Sequence, residues 1–164
     1  MSAVPEPRQR LLLPMTTAHL DTVMAIEVAA YAFPWTRGNF VDSLASGYAA
    51  SVLYDGEGCI LGYFVAMAGV EEMHLLNITV APPAQHRGHA LHLLDALVSL
   101  CRERGARQLW LEVRESNARA RSIYLRRGFV HVGRRRGYYP APHGQREDAA
   151  VMSLAIPEAG HGLD

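Results

Sequence analysis

A run of strand-forming residues, Asn77-Ile-Thr-Val80, passes through Ala81-Pro-Pro-Ala into Gln85-His-Arg-Gly88-His-Ala90, and a long apolar-faced segment follows at once. A strand that ends on a proline pair and a glycine, then opens straight into a helix, restricts the fold more than any other stretch of the chain. Leu91, Leu94, Leu97, Val98 and Cys101 recur at helical spacing, and Gly105 stops the pattern. The first turn of such a helix leaves backbone N–H groups unpaired, and its macrodipole favours an anion. Gly88 and Ala90 let a phosphate approach the backbone closely, and Arg87 adds positive charge. The segment suits a pyrophosphate; an ordinary loop that uses Gly88 as a turn meets the same spacing equally well. It is not the phosphate loop of nucleotide hydrolases, whose Gly-Lys-Ser/Thr ending is absent, and it lacks the three fixed glycines of a dinucleotide-binding crossover.

The rest of the chain supplies the frame. Arg10 to Met15 suits a first strand, and Thr16 or Thr17 offers an N-cap for a helix bearing Leu20, Val23, Met24, Glu27 and Tyr31. Phe33-Pro34-Trp35 breaks that helix, because the residue before a proline avoids the helical region. A second short helix runs from Thr36 through Phe40, Val41 and Leu44 to Gly47. Ser51–Tyr54 and Cys59–Ala66 flank the turn cluster Asp55-Gly-Glu-Gly58 and read as a hairpin, with residues 74–80 as the next strand. Gln108–Val113 is another strand. Ser116 or Asn117 then caps a short helix through Ile123, Tyr124 and Leu125 that ends at Gly128. Phe129–Val132 and Asp148–Ile156 read as two last strands, separated by a loop rich in Tyr, Pro and Gly. Strands outnumber helices and are partly hairpin-connected, so the expected fold class is mixed α/β rather than a doubly wound sheet.

With 164 residues and 49% hydrophobic content, one compact domain over residues 9–156 is expected, with flexible ends at 1–8 and 157–164. All sixteen basic residues are Arg, and they balance sixteen acidic ones, which disfavours nucleic acid as a direct partner. The absence of lysine removes every mechanism that needs a lysine amine. No apolar run approaches the ~20 residues of a membrane-spanning helix, and the start lacks a signal-peptide layout, so a cytoplasmic protein without a membrane partner is expected. Cys59 and Cys101, far apart and each in an apolar stretch, read as isolated buried thiols. His86, His89 and His92 recur every third residue, but no Cys or close acidic cluster completes a ligand set, so they read as solvated and no metal is expected. Arg134-Arg-Arg136 reads as a solvated face. Asn77-Ile-Thr79 is formally a glycosylation sequon but lies mid-strand.

Gln85-His-Arg-Gly88-His-Ala90 resembles the Gln/Arg-x-x-Gly-x-Gly/Ala signature of the GNAT (Gcn5-related) N-acetyltransferases. Phe33-Pro34-Trp35, Leu109-Trp-Leu-Glu-Val-Arg-Glu-Ser-Asn117 and Tyr138-Tyr-Pro140 with Arg146-Glu-Asp148 narrow the likeness to the RimI-type branch, the ribosomal-protein-alanine N-acetyltransferases of bacteria. The resemblance runs from about Leu11 to Ile156. It implies a largely antiparallel mixed sheet of about six to seven strands flanked by about four helices. It also implies acetyl-CoA as cosubstrate and the N-terminal peptide of a protein, a ribosomal one, as acceptor. By the same resemblance Ile78, Thr79 and Val80 pair with the pantetheine arm, and Gln85, His86, Arg87, Gly88, His89, Ala90 and Leu91 wrap the pyrophosphate. Asn117 touches the cosubstrate, Glu112 is the general base and Tyr124 the general acid.

Each implied role has a physical basis. An N-terminal α-amine has a reference pKa of about 7.7–8.0, so much of it is protonated at neutral pH and needs a base such as a carboxylate. Attack on a thioester carbonyl develops an oxyanion, which backbone N–H groups near Val80 are placed to receive, and the departing thiolate needs a proton. The residues also admit plainer roles. Glu112 alternates with Leu111 and Val113 and shares the other face with Trp110, Tyr124 at helical spacing fits core packing, and Asn117 serves equally as an N-cap. The same fold could acetylate another N-terminus, a lysine or a small amine, or bind acyl-CoA without turnover. Phe33-Pro-Trp35 and Tyr138–His143 suit the walls of a peptide groove, and Glu71, Glu72 and Glu115 suit attraction of a basic peptide. One departure from the branch lies here: its Arg-Arg-Asn-Tyr-Tyr-Pro stands as Arg135-Arg-Gly137-Tyr-Tyr-Pro140.

Overall fold

The computed structural model describes residues 9–158, and the flexible ends expected at 1–8 and beyond 158 lie outside the described residues. Within them, alternating apolar runs form seven strands of one sheet: β1 (Leu11–Pro14), β2 (Ala49–Tyr54), β3 (Ile60–Ala68), β4 (Glu72–Val80), β5 (Gln108–Arg114), β6 (Val130–Pro140) and β7 (Arg146–Ala155). The order is β1-β2-β3-β4-β5-β7-β6. Every neighbouring pair is antiparallel except β4–β5. That pair is parallel because the connection between its strands is a helical crossover. The mixed, largely antiparallel sheet of the sequence reading is the observed one.

Four α-helices cover the sheet, α1 (Leu20–Ala30), α2 (Arg37–Ala45), α3 (His89–Glu103) and α4 (Ala118–Arg127). On one face α1 and α2 bury Leu20, Val23, Ile26 and Phe40 against Val52, Tyr63 and Val65. On the other, α3 and α4 bury Leu94, Leu97, Cys101 and Tyr124 against Phe64, Leu75, Leu109, Leu111 and Met152. The helix ends follow local chemistry. The Thr36 hydroxyl accepts from Asn39 N–H at 3.1 Å to start α2, and Gly128, left-handed at φ 110°, ends α4. Thr16 begins a 3-10 turn, Thr17–His19, ahead of α1, rather than capping α1 itself.

Two readings of the sequence need correction. Residues 133–140, expected as loop, continue β6 as an eleven-residue strand with a register shift between Arg135 and Tyr139. Gly and Pro hid this strand, but it is the sheet's edge, where a partner's ladder makes fewer demands. Cys59 is exposed at the turn before β3, whereas Cys101 is buried as expected. After β7, Ile156 N–H donates to the Arg107 carbonyl at 2.8 Å, and Arg107 pairs at the surface with Glu158 at 2.9 Å. Among the described residues no helix is long and apolar enough to cross a membrane.

Candidate active site

β4 carries the feature that opens the site. Asn77 stands opposite Val65 and Leu75 opposite Ala66, so Leu76 is an extra residue and the strand bulges there. The bulge reverses the side-chain alternation. Met73 and Leu75 face the core under α3, while Asn77 turns to the α1 face and Ile78 and Val80 pack on the α3 side. β4 and β5 pair only from Glu72↔Gln108 to Leu75↔Leu111, after which the strands part. Ala81 N–H donates to the Leu61 carbonyl at 2.8 Å, so by strand alternation the backbone groups of Ile78 and Val80 point the other way, into the gap. The Ile78 carbonyl there accepts from the Tyr31 hydroxyl at 3.0 Å, and the Val80 carbonyl from Gln85 Nε2 at 3.2 Å.

A cleft of about 640 Å³ lies over this gap, between the β4–α3 loop and α4. The structure gathers in its lining Ile78, Thr79, Val80, Gln85, His86, Gly88, His89, Ala90, Leu91, Asn117 and Tyr124 of the residues expected there. Arg87 is exposed and not part of the lining. α3 starts at Gly88, left-handed at φ 81°, with no side chain capping its first amides and open space where a Cβ would stand. His86, also left-handed at φ 66°, is a strained conformation for a residue with a Cβ. Arg119 steadies it from across the cleft, with Nη1 3.0 Å from both Gln85 Oε1 and His86 Nε2. Asn117 lines the cleft, and its side chain caps α4 by accepting from Ala120 N–H at 3.1 Å.

Tyr124 is buried, its ring 5.6 Å from Phe129, and burial pushes its hydroxyl well above the ordinary tyrosine value. Tyr31, at the same gap, is pushed up to about 12 by burial, with its bond to Thr79 pulling the other way. Both phenols keep their protons at neutral pH. The sequence reading missed Tyr31, which looks there like one more apolar helix position.

Glu112 lies on the opposite face from the cleft. Its side chain is 7% exposed, one oxygen 2.5 Å from His74 Nε2 and the other 3.3 Å from Arg135 Nε. His74 comes from the adjacent β4 and Arg135 from β6, across β7, and nothing in the sequence pairs either of them with Glu112. Beside them Arg114 lies between the rings of Phe33 at 5.4 Å and Tyr139 at 4.6 Å, and donates to the Pro140 carbonyl at 2.8 Å. The Phe33 segment and the β6–β7 hairpin are thereby joined as walls around Glu112. Of the three acids expected to attract a peptide, Glu115 is paired with Arg134 at 2.8 Å, and Glu71 and Glu72 stand at the far end of the β4–β5 seam.

The cleft fits a long ligand with an anionic end: an open strand edge, an uncapped helix start, Arg119 and Arg126 in its lining, and no carboxylate among its lining residues. Comparison with known proteins agrees with that chemistry. The model of the Acetyltransferase (GNAT) family matches residues 20–129. The chain is 36% identical to the [Ribosomal protein bS18]-alanine N-acetyltransferase of Haemophilus ducreyi, covering 83% of this chain and 93% of that one. It is 37% identical to the protein of the same name from Escherichia coli K12, covering 87% and 95%. The crystal structure of the ribosomal-protein-S18-alanine N-acetyltransferase from Escherichia coli superposes with a TM-score of 0.84 at 35% identity, over 95% of this chain and 99% of that one. The parted strands, the uncapped helix start and these likenesses point one way, and the chain belongs to the GNAT family of acetyltransferases, whose cosubstrate is acetyl-CoA.

Proposed function

We propose that this acetyltransferase moves the acetyl group of acetyl-CoA to the N-terminal α-amine of a protein, the alanine that begins a small-subunit ribosomal protein of the bS18 kind. The observation that carries the reading is the gap between β4 and β5, with the cleft on one face of the sheet and Glu112 on the other. Cosubstrate and acceptor then enter from opposite faces and meet where the strands part. The names of the relatives support the acceptor.

Acetyl-CoA supplies an activated acetyl group as a thioester. Glu112, held by His74 and Arg135, takes a proton from the incoming ammonium and frees its lone pair for attack. Backbone N–H groups of Ile78 and Val80, directed into the gap, stabilise negative charge as it develops on the acetyl oxygen. Tyr124, kept protonated by burial, gives its proton to the departing sulfur. The aromatic walls and Arg114 position the acceptor, and much of the acceleration comes from that placement.

The test uses acetyl-CoA and peptides that differ only in their first residue, with the acetylated position read by mass spectrometry. A peptide beginning with Ala is acetylated on its α-amine, and Glu112→Gln lowers kcat about 10²- to 10⁴-fold at neutral pH. Acetylation confined to lysine side chains would overturn the acceptor class. An unchanged rate in Glu112→Gln would remove that residue from the mechanism.

A further inference from the structure

Four arginines decorate α4, and their surroundings divide them. Arg127 is paired with Asp95 of α3 at 2.7 Å and is not part of the cleft. Arg121 Nε is buried without a partner, and Arg121 is not part of the cleft either. Arg119 and Arg126 do line it. They stand seven residues apart, two helical turns, so they share one face of α4 about 10 Å apart along its axis. Neither has a carboxylate partner among the described residues: the Arg119 guanidinium bonds only to the side chains of Gln85 and His86, and Arg126 has no hydrogen bond or ion pair there. Sixteen acidic residues balance the sixteen arginines of the chain, so two cations left unpaired on one wall of one cleft are a local excess.

The uncapped start of α3 already provides for one anionic group on the facing wall. The α4 pair, exposed on the cleft wall, suits a second anion, and acetyl-CoA carries one beyond its pyrophosphate, the monoester phosphate on the ribose 3′ oxygen. We propose that Arg119 and Arg126 recognise this 3′-phosphate and make the enzyme discriminate CoA from 3′-dephospho-CoA. The inference rests on acetyl-CoA as cosubstrate and is independent of the acceptor and of Glu112. Guanidinium groups suit the task, because they hold their charge at every working pH and present paired donors to phosphate oxygens.

Calorimetric titration of CoA and of 3′-dephospho-CoA into the wild type, Arg119→Gln, Arg126→Gln and Arg127→Gln tests this at low and moderate salt. The wild type binds CoA about tenfold or more tightly than dephospho-CoA, and the margin narrows with salt. Arg119→Gln and Arg126→Gln each weaken CoA severalfold while leaving dephospho-CoA nearly unchanged, and Arg127→Gln changes neither. Equal affinity of the wild type for both ligands overturns the proposal. Parallel weakening of both ligands in Arg119→Gln and Arg126→Gln also overturns it, and assigns the pair to holding the loop. No binding of either ligand would instead refute the cosubstrate itself.

Discussion

Glu27 is 1% exposed and pairs with no cation among the described residues, yet three hydrogen bonds hold its carboxylate. Its carboxylate accepts from the Tyr63 hydroxyl at 2.6 Å, Asn77 Nδ2 at 3.1 Å and Trp35 N–H at 2.9 Å. From Asn77 the chain of bonds continues to the Thr79 hydroxyl at 2.7 Å and on to Tyr31 at 2.7 Å, at the rim of the cleft. One buried carboxylate thus ties α1, the Phe33-Pro-Trp35 segment and the open edge of β4 together. All three of its partners are donors, so Glu27→Ala leaves them unsatisfied in the core and costs about 2–4 kcal/mol, read by urea unfolding. Glu27→Gln fills the space but turns an amide N–H₂ toward those donors, and recovers only part of the loss. In the sequence Glu27 is legible only as a polar residue at a helical core position. Its purpose depends on Tyr63, Asn77 and Trp35, which lie as far as fifty residues away.

At the scale of elements, the strand–loop–helix unit from Asn77 to Glu103 could be read directly, because proline, glycine and apolar spacing are local signals. The bulge at Leu76 could not. Met73, Leu75, Asn77 and Thr79 are all buried, so the alternation looks unbroken even though the two halves face opposite sides of the sheet. Placement of Glu112 away from the cleft follows from the same long-range geometry, whereas its partnership with Trp110 on one face was visible in the alternation. The β3–β4 contact that sets the open edge is unusually close. A Cβ on Gly62 would stand 2.4 Å from the Thr79 carbonyl oxygen and 3.3 Å from Leu93 Cδ1. Gly62→Ala therefore pushes β4 toward the gap. It costs about 1–3 kcal/mol of stability and raises the KM for acetyl-CoA more than that for the peptide, which steady-state kinetics with each substrate varied will separate. An unchanged KM ratio would show that the edge tolerates displacement.

For the whole molecule, the absence of lysine makes alkaline stability unusually interpretable. In most proteins, raising the pH past 10 discharges lysines and dissolves ion pairs along with any effect of buried phenols. Here every basic side chain but histidine is arginine, which stays charged through that range. Burial pushes Tyr63 and Tyr124 above their ordinary value of 10.0, and pushes the Cys101 thiol up to about 11 from 9.0. The unfolded chain titrates these groups at their ordinary values, while the folded chain holds the protons longer. Above those values the unfolded state binds fewer protons, so stability, complete below about pH 9, must fall as the pH rises. Each group contributes at most about 1.4 kcal/mol per pH unit between its unfolded and folded values. Thermal melts from pH 7 to 11 should show a level Tm to about pH 9. A shallow decline from Cys101 follows, and then a steeper one above 10 as the tyrosines join. Cys101→Ala lowers the whole curve by its cavity but removes the early decline, leaving the level region to extend to about pH 10. A wild-type curve that declines already between pH 7 and 8.5 would overturn this assignment to the buried thiol and phenols, and His89 and His92 could not supply it, because burial pushes both down and groups shifted that way lose no stability as the pH rises.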